Sequence, residues 1–131
     1  MQMAFELQML GVAVLIGLVH LLAAAVAGAS QRGLKWSAGP RDEPVPVGGL
    51  AARLERAFAN YRESFPFFAV AVLVAYLGGR FGALTMLGAG LYVGGRLAFL
   101  PLYVLGVPWV RSIAWCVSFT GIILTLLALV V

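Results

Sequence analysis

Charge is the scarcest property of this sequence. Only 11% of its 131 residues are Asp, Glu, Lys or Arg, whereas an ordinary soluble domain contains about 25%. Acidic residues are fewer than basic ones. The sequence has five Asp and Glu and nine Lys and Arg, which gives a formal net charge of +4. So few polar side chains are too few to cover a water-facing surface, and the sequence therefore predicts an integral membrane protein.

Several kinds of functional site also lack their sequence signals. A single cysteine, Cys116, excludes an internal disulfide. No group of His, Cys, Asp or Glu has metal-ligand spacing, and there is neither a nucleophile elbow nor a glycine-rich phosphate loop. The basic excess is not accompanied by a basic-aromatic platform, so we expect no nucleic-acid partner.

The sequence consists mainly of long apolar runs, and 63% of its residues are hydrophobic. A membrane-spanning helix needs about 20 predominantly apolar residues. Residues 30–49 are rich in Pro and Gly and predict one long loop, while the other two connections are short turns that make neighbouring helices antiparallel. The sequence thus predicts one all-α domain over residues 1–131, a four-transmembrane-helix bundle. Its spans are expected at about 5–29, 50–77, 82–105 and 108–131.

Basic residues are distributed unequally between the two ends of these spans. Seven of the nine lie on the side of the long loop, Arg80 lies alone on the other side, and Arg96 falls inside the third span. Cytoplasmic loops are enriched in Lys and Arg. We therefore expect the long loop to be cytoplasmic and both termini to lie outside.

Arg96 is the strongest signal of a site. It lies about nine residues, or roughly 13 Å, from the cytoplasmic end of its span. An arginine at this depth costs at least about 2.5–3.5 kcal/mol and normally faces a partner or a wet cavity. Glu63 is the only acid placed to meet it, and we expect an ion pair between them. His20 is alone in the first span, where we expect it to form a hydrogen bond between helices.

Polar residues also recur along one face of each of the two middle spans. The stripe on the second span comprises Arg53, Arg56, Asn60, Glu63 and Phe67, and that on the third comprises Tyr92, Arg96, Phe99 and Tyr103. With Arg111, these stripes predict a cytoplasm-facing pocket with excess positive charge. Such a pocket favours an anionic ligand, and Glu63 would suit an ammonium group on the same ligand.

Small residues at four-residue spacing predict close helix packing in lipid or at a subunit interface. The pairs are Ala13/Gly17, Ala24/Gly28 and Gly90/Gly94.

The second span contains a recognisable motif. Its run from Arg56 to Pro66 has Asn60 four residues after the arginine and Glu63 three residues further on. Together with Arg96, Tyr103 and Pro108, this motif resembles the MAPEG family, the membrane-associated proteins in eicosanoid and glutathione metabolism. The resemblance covers the whole chain in length and layout, and segments around residues 101–115 resemble most a bacterial branch.

The resemblance implies a homotrimer in a bacterial inner membrane, with glutathione bound near the cytoplasmic side. By analogy, Arg56, Asn60, Glu63, Arg96 and Tyr103 would bind glutathione as co-substrate. Arg111 would be the catalytic residue, stabilising the glutathione thiolate that attacks a lipophilic electrophile or hydroperoxide. Either Arg32 or Lys35 could supply a further basic residue after the first span.

Two other functions fit parts of the sequence. The same pocket would suit a non-catalytic protein that binds an anionic lipid or a partner helix. A small exporter of cations would use Glu63, but Arg96 and Arg111 would repel its cargo.

Overall fold

The computed structural model describes residues 2–131, which form five helices and no strand. The prediction of an all-helical protein is confirmed. Four helices are long and one, α2, is short. They are α1 (Phe5–Arg32), α2 (Leu34–Ala38), α3 (Gly49–Leu77), α4 (Ala83–Val104) and α5 (Pro108–Leu127).

Three of these helices, α1, α4 and α5, are long and apolar enough to cross a bilayer. The remaining long helix, α3, has 29 residues, but its first half is interrupted by charge. Its charged residues are Arg53, Glu55, Arg56, Arg62 and Glu63. Three of the four predicted spans thus coincide with apolar helices, whereas the span assigned to α3 stays a prediction.

The first helix and the long connection differ from the expected layout. Helix α1 continues past the predicted end at residue 29 to Arg32, and α2 occupies part of the predicted loop. Hydropathy marks where a chain leaves the hydrocarbon, but a helix can continue into the polar zone. Gly33 ends α1 because its φ of 90° lies in the region that side chains other than glycine rarely adopt.

Both short turns contain a glycine in the left-handed region, Gly79 with φ 64° and Gly106 with φ 75°. The following backbone N–H groups reach back to the helix just completed: Arg80 N to the Ala75 carbonyl at 2.8 Å, and Val107 N to the Leu102 carbonyl at 3.0 Å. These bonds satisfy carbonyls that a helix end leaves free. The chain therefore reverses tightly after α3 and again after α4.

Helices α4 and α5 pack backbone to backbone through glycines. A Cβ atom added to Gly88 would lie 2.6 Å from the carbonyl oxygen of Gly121, and one added to Gly95 would lie 2.8 Å from that of Ala114. The expected pair Gly90/Gly94 does not make this contact, because Gly94 has nothing within 4 Å of such a position. Within the chain, the seven-residue pair Gly88/Gly95 forms the contact between α4 and α5, and a role of Gly90/Gly94 at a subunit interface stays a prediction.

Aromatic side chains hold α3 between α1 and α4. The ring of Phe68 stacks on that of Tyr92, with centroids 4.0 Å apart, and both residues are buried. The hydroxyl of Tyr61 donates to the carbonyl of Ala13 in α1. Gly17 allows the Tyr61 ring to approach, since a Cβ there would lie 3.1 Å from the ring.

His20 does not form the expected hydrogen bond between helices. Its Nδ1 pairs with the carbonyl of Ile16, one turn earlier in α1, at 2.9 Å. Its contact with another helix is a stack on the Tyr61 ring, with centroids 4.7 Å apart. The expectation was wrong because an imidazole can turn back to its own helix while its face packs against a neighbour.

Candidate functional site

Arg96 is fully buried in α4, and its guanidinium lies against aromatic rings. The guanidinium carbon is 4.4 Å from the centroid of the Phe99 ring and 5.1 Å from that of Tyr61. Aromatic faces attract cations, and Nη1 also donates to Asn60 Oδ1 at 2.9 Å. Nε and Nη2 have no hydrogen-bond partner within residues 2–131. The buried cation is thus held by two rings and one amide.

The expected ion pair between Arg96 and Glu63 is wrong. Glu63 is exposed, and the ion pair found within residues 2–131 joins Arg32 and Glu55. The spacing along α3 correctly put Asn60 and Glu63 on one face, but it did not say which of them Arg96 would reach. Asn60, one turn earlier, takes the place that we assigned to the acid.

A second polar group connects the loop-side ends of α3, α4 and α5. Arg56 Nε donates to the Tyr103 hydroxyl at 3.1 Å. The guanidinium carbon of Arg111, in the first turn of α5, lies 4.7 Å from the centroid of the Tyr103 ring. Tyr103 therefore contacts one arginine through its hydroxyl and another through its face. The fold brings together three of the predicted site residues here.

Below this cluster, a groove of about 410 Å³ lies between α3 and α5. We call it the α3–α5 groove. Its polar end contains Asn60, Glu63 and Ser64, all from α3. The rest is apolar and is lined by Phe67, Trp115, Phe119, Ile122, Ile123 and Leu126. The groove therefore pairs a small polar patch with a surface suited to a lipophilic molecule.

Ser64 is a site residue that the sequence interpretation did not include. Its hydroxyl lies 3.0 Å from the hydroxyl of Tyr92, which is fully buried. Ser64 also lies 3.3 Å from the carbonyl of Tyr61. The sequence held a signal for including Ser64 in the site, since Ser64 follows Glu63 directly and its partner Tyr92 belongs to the polar stripe on the third span. The sequence did not show that the two hydroxyls meet.

Two other arginines have structural partners. Arg53, which we included in the predicted polar stripe, donates from Nη1 to the carbonyl of Val104 at 3.0 Å. A cation at a helix C-terminus satisfies a free carbonyl and opposes the negative end of the helix dipole. Arg32 bonds both carboxylate oxygens of Glu55, at 2.5 and 3.4 Å, and lines the same cavity as Arg56. Lys35 is exposed on α2.

The fold and this arrangement define an all-helical integral membrane protein with its arginine-rich cluster at the loop-side ends of three helices. The model of the MAPEG family matches residues 9–131. Because this match includes nearly the whole chain, the protein belongs to the MAPEG family, and the resemblance inferred from its motifs is confirmed. Neither the curated proteins nor the solved structures gave a match to the chain.

Proposed function

We propose that this protein is a glutathione-dependent transferase or peroxidase that acts on a lipophilic electrophile or hydroperoxide. Glutathione has two carboxylates, one ammonium and one thiol. The site offers guanidinium groups for the carboxylates and Glu63, which has no ion-pair partner within residues 2–131, for the ammonium. The α3–α5 groove would accept the lipophilic substrate next to these groups.

The relationship of Arg111 and Tyr103 carries this proposal. The Tyr103 ring supports the Arg111 guanidinium at 4.7 Å, and Arg56 fixes the Tyr103 hydroxyl from the other side. Arg111 is half-buried, so it is held in place and still accessible to a ligand. A positioned guanidinium of this kind is suited to stabilise an anion that forms during a reaction.

In the proposed reaction, Arg111 stabilises the glutathione thiolate. An unperturbed thiol has a pKa of about 8.5, and each unit of lowering requires about 1.4 kcal/mol of preferential thiolate stabilisation. A guanidinium within hydrogen-bond range in a partly dry site supplies such stabilisation. The sulfur then forms a bond to the electrophilic carbon of the second substrate while the leaving group on that carbon departs as an anion. With a hydroperoxide, the sulfur attacks the terminal oxygen, the O–O bond breaks, and glutathione sulfenic acid and the alcohol form. A second glutathione thiol then reduces the sulfenic acid, giving glutathione disulfide and water.

The assembly and location belong to the same proposal. We propose that α3 is the fourth span, that the chain forms a homotrimer, and that it resides in a bacterial inner membrane. The long loop would be cytoplasmic with both termini outside, as the excess of Lys and Arg on the loop side suggests. A cytoplasmic site agrees with a water-soluble co-substrate, while the lipophilic substrate would arrive from the bilayer.

The test compares Arg111→Ala with wild type in detergent or nanodiscs. Turnover of a model electrophile, 1-chloro-2,4-dinitrobenzene, and of cumene hydroperoxide is measured with millimolar glutathione, and glutathione binding is measured by thermal shift. We expect turnover to fall about 100-fold, as when one charge-stabilising donor is removed, while the thermal shift persists. Wild-type turnover in Arg111→Ala would refute the catalytic role. If the folded wild type gave no thermal shift, glutathione use would be refuted.

A further inference from the structure

The turn between α4 and α5 connects the two residues that carry the proposed function. Tyr103 lies one residue before the end of α4, and Arg111 lies in the first turn of α5. Residues 105–107 alone join the two helices. The position of this turn against α3 therefore affects where the Arg111 guanidinium lies relative to the α3 residues of the site.

The carbonyl of Val104, the last residue of α4, is left free by the turn that follows it. The backbone N–H groups of residues 105–107 bond instead to carbonyls between Pro101 and Tyr103. In a continuing helix the donor for Val104 would be the N–H of residue 108. That residue is Pro108, which has no N–H. The carbonyl therefore needs a donor from another element.

Arg53 of α3 supplies this donor. Its Nη1 donates to the carbonyl oxygen of Val104 at 3.0 Å. The same guanidinium also lies against Gly106, since a Cβ atom added there would be 3.4 Å from the guanidinium carbon and from Nη1. Gly106 has φ 75°, a conformation suited to glycine, and its missing side chain leaves room for the guanidinium. Arg53 thus contacts the turn at two points.

Arg53 acts beside Arg56, which is three residues later and therefore on the same face of α3. Arg56 Nε donates to the Tyr103 hydroxyl at 3.1 Å. The two arginines thus bond two successive residues of α4, one through its side chain and the next through its backbone. Hydrogen bonds from a cation are stronger than those between neutral groups. Two such bonds restrict both the shift and the rotation of this end of α4 relative to α3.

This link affects the geometry of the whole candidate site. Glycine contacts hold α5 on α4, whereas α3 faces α5 across the α3–α5 groove. The position of Arg111 relative to Arg56, Asn60 and Glu63 therefore depends on how the α4–α5 pair is fixed to α3. Errors of about 1 Å in the placement of a reacting group can lower a rate about 100-fold.

We propose that Arg53 is a positioning residue of the glutathione reaction, which holds the α4–α5 turn on α3 and thereby places the Arg111 guanidinium at the glutathione sulfur. This inference rests on the proposed function. The Nη1 of Arg53 is already bonded to Val104, so Arg53 acts through the turn and not through contact with glutathione. Its loss should therefore lower the rate more than the affinity for glutathione.

The test compares Arg53→Met, which keeps a long side chain without donors, with Arg53→Lys, which keeps a cationic donor. Arg80→Met, an exposed arginine at the end of the bundle away from the long loop, is the control. Turnover of 1-chloro-2,4-dinitrobenzene with glutathione is measured for each, together with the glutathione thermal shift. Hydrogen exchange of residues 103–111 reports whether the turn stays on α3, independently of activity. Arg53 is exposed, so these variants should fold, and Arg53→Ala takes the place of Arg53→Met if that variant does not.

We expect Arg53→Met to lower kcat near neutral pH about tenfold and to change the KM for glutathione less than about twofold. A rise of about one unit in the pKa of the bound thiol has this effect, so the acid side of the kcat profile should move about one unit to higher pH. Exchange of the turn should become faster. Arg53→Lys should recover at least about half of the wild-type kcat, because an ammonium can still bond to the Val104 carbonyl.

In the Arg111→Ala background, Arg53→Met should cause no further loss, because both changes act on the same group. A wild-type kcat in Arg53→Met, unchanged exchange of the turn, or a loss that multiplies with that of Arg111→Ala would overturn the positioning role and leave the proposed function intact. A folded wild type without a glutathione thermal shift would instead refute the proposed function, and this inference with it. The two failures are therefore distinguishable.

Discussion

The Thr85 hydroxyl donates to a carboxylate oxygen of Glu6 at 2.5 Å and accepts the backbone N–H of Gly82 at 2.8 Å. Glu6 is in the first turn of α1, and Thr85 is in the first turn of α4. Both side chains are buried. One hydroxyl therefore links the beginning of α1 to the beginning of α4 and to the turn before it, at the end of the bundle away from the long loop.

We expect Glu6→Ala to lower the free energy of unfolding by about 1.5–3 kcal/mol, the usual contribution of a hydrogen bond to a charged group. Thr85→Val should cost a similar amount, and the double variant should cost less than the sum because both remove the same interaction. Unfolding in detergent mixtures measures these differences. Asp42→Ala, in the exposed part of the loop, is the control, and additive losses would show that the residues are not coupled.

The amide of Asn60 is the one hydrogen-bond acceptor for Arg96 within residues 2–131. Asn60→Leu should lower the free energy of unfolding by roughly 2–3 kcal/mol, because it leaves a buried guanidinium without an acceptor. Combining it with Arg96→Met should recover part of that loss, since replacing both partners by apolar groups removes the desolvation cost. The same unfolding assay tests this pair. A double variant less stable than Asn60→Leu would contradict the expected relief.

Gly88 and Gly94 provide a matched pair in α4. Gly88→Ala would bring a Cβ to 2.6 Å from the Gly121 carbonyl oxygen, so α4 and α5 must separate, and we expect a loss of about 1–3 kcal/mol. Gly94→Ala meets no atom within 4 Å and should stabilise the helix by about 0.5–1 kcal/mol. Thermal unfolding of both variants gives the comparison, and equal effects would mean that the close helix approach does not govern stability.

Under the proposed function, Tyr103→Phe separates the two contacts of Tyr103. It removes the acceptor for Arg56 and keeps the ring beneath Arg111. We expect the KM for glutathione to rise about tenfold, which corresponds to about 1.4 kcal/mol, with a smaller change in kcat. Tyr103→Leu removes both contacts and should lower kcat as well. Steady-state kinetics separate the two effects, and equal kcat values in both variants would show that the ring does not position Arg111.

The apolar runs predicted most of the helical layout, because composition and length determine which segments suit a bilayer. They were less informative for α3, where charge occupies half of a helix that the structure extends from Gly49 to Leu77. Gly94 shows that small-residue spacing alone does not predict which face of a helix packs against another helix of the chain. Small-residue spacing indicates that a helix can approach a neighbour, but the partner's backbone decides which face does so.

The candidate site was predicted as a set of residues rather than as a set of contacts. One-face spacing correctly grouped Arg56 with Asn60, and Arg96 with Tyr103, because helical periodicity determines direction. Helical spacing did not determine how deep each side chain lies along its helix or how the helices are rotated about their axes. It therefore paired Arg96 with Glu63 instead of Asn60. Tyr61 lies off the polar stripe of α3, so helical spacing does not select it, although its ring contacts both His20 and Arg96. A ring that packs between helices contributes to a site without sharing its polar face.

The close approach of α4 and α5 also determines how the molecule can open. Tyr103 is on α4 and Arg111 is on α5, so the helix pair joined through Gly88, Gly95 and Gly121 carries both residues as one rigid unit. Arg56 and Asn60 are on α3, which contacts α4 through side chains and faces α5 across the α3–α5 groove. Widening this groove would separate α3 from α5, whereas the close backbone contact of α4 and α5 preserves the spacing between Tyr103 and Arg111.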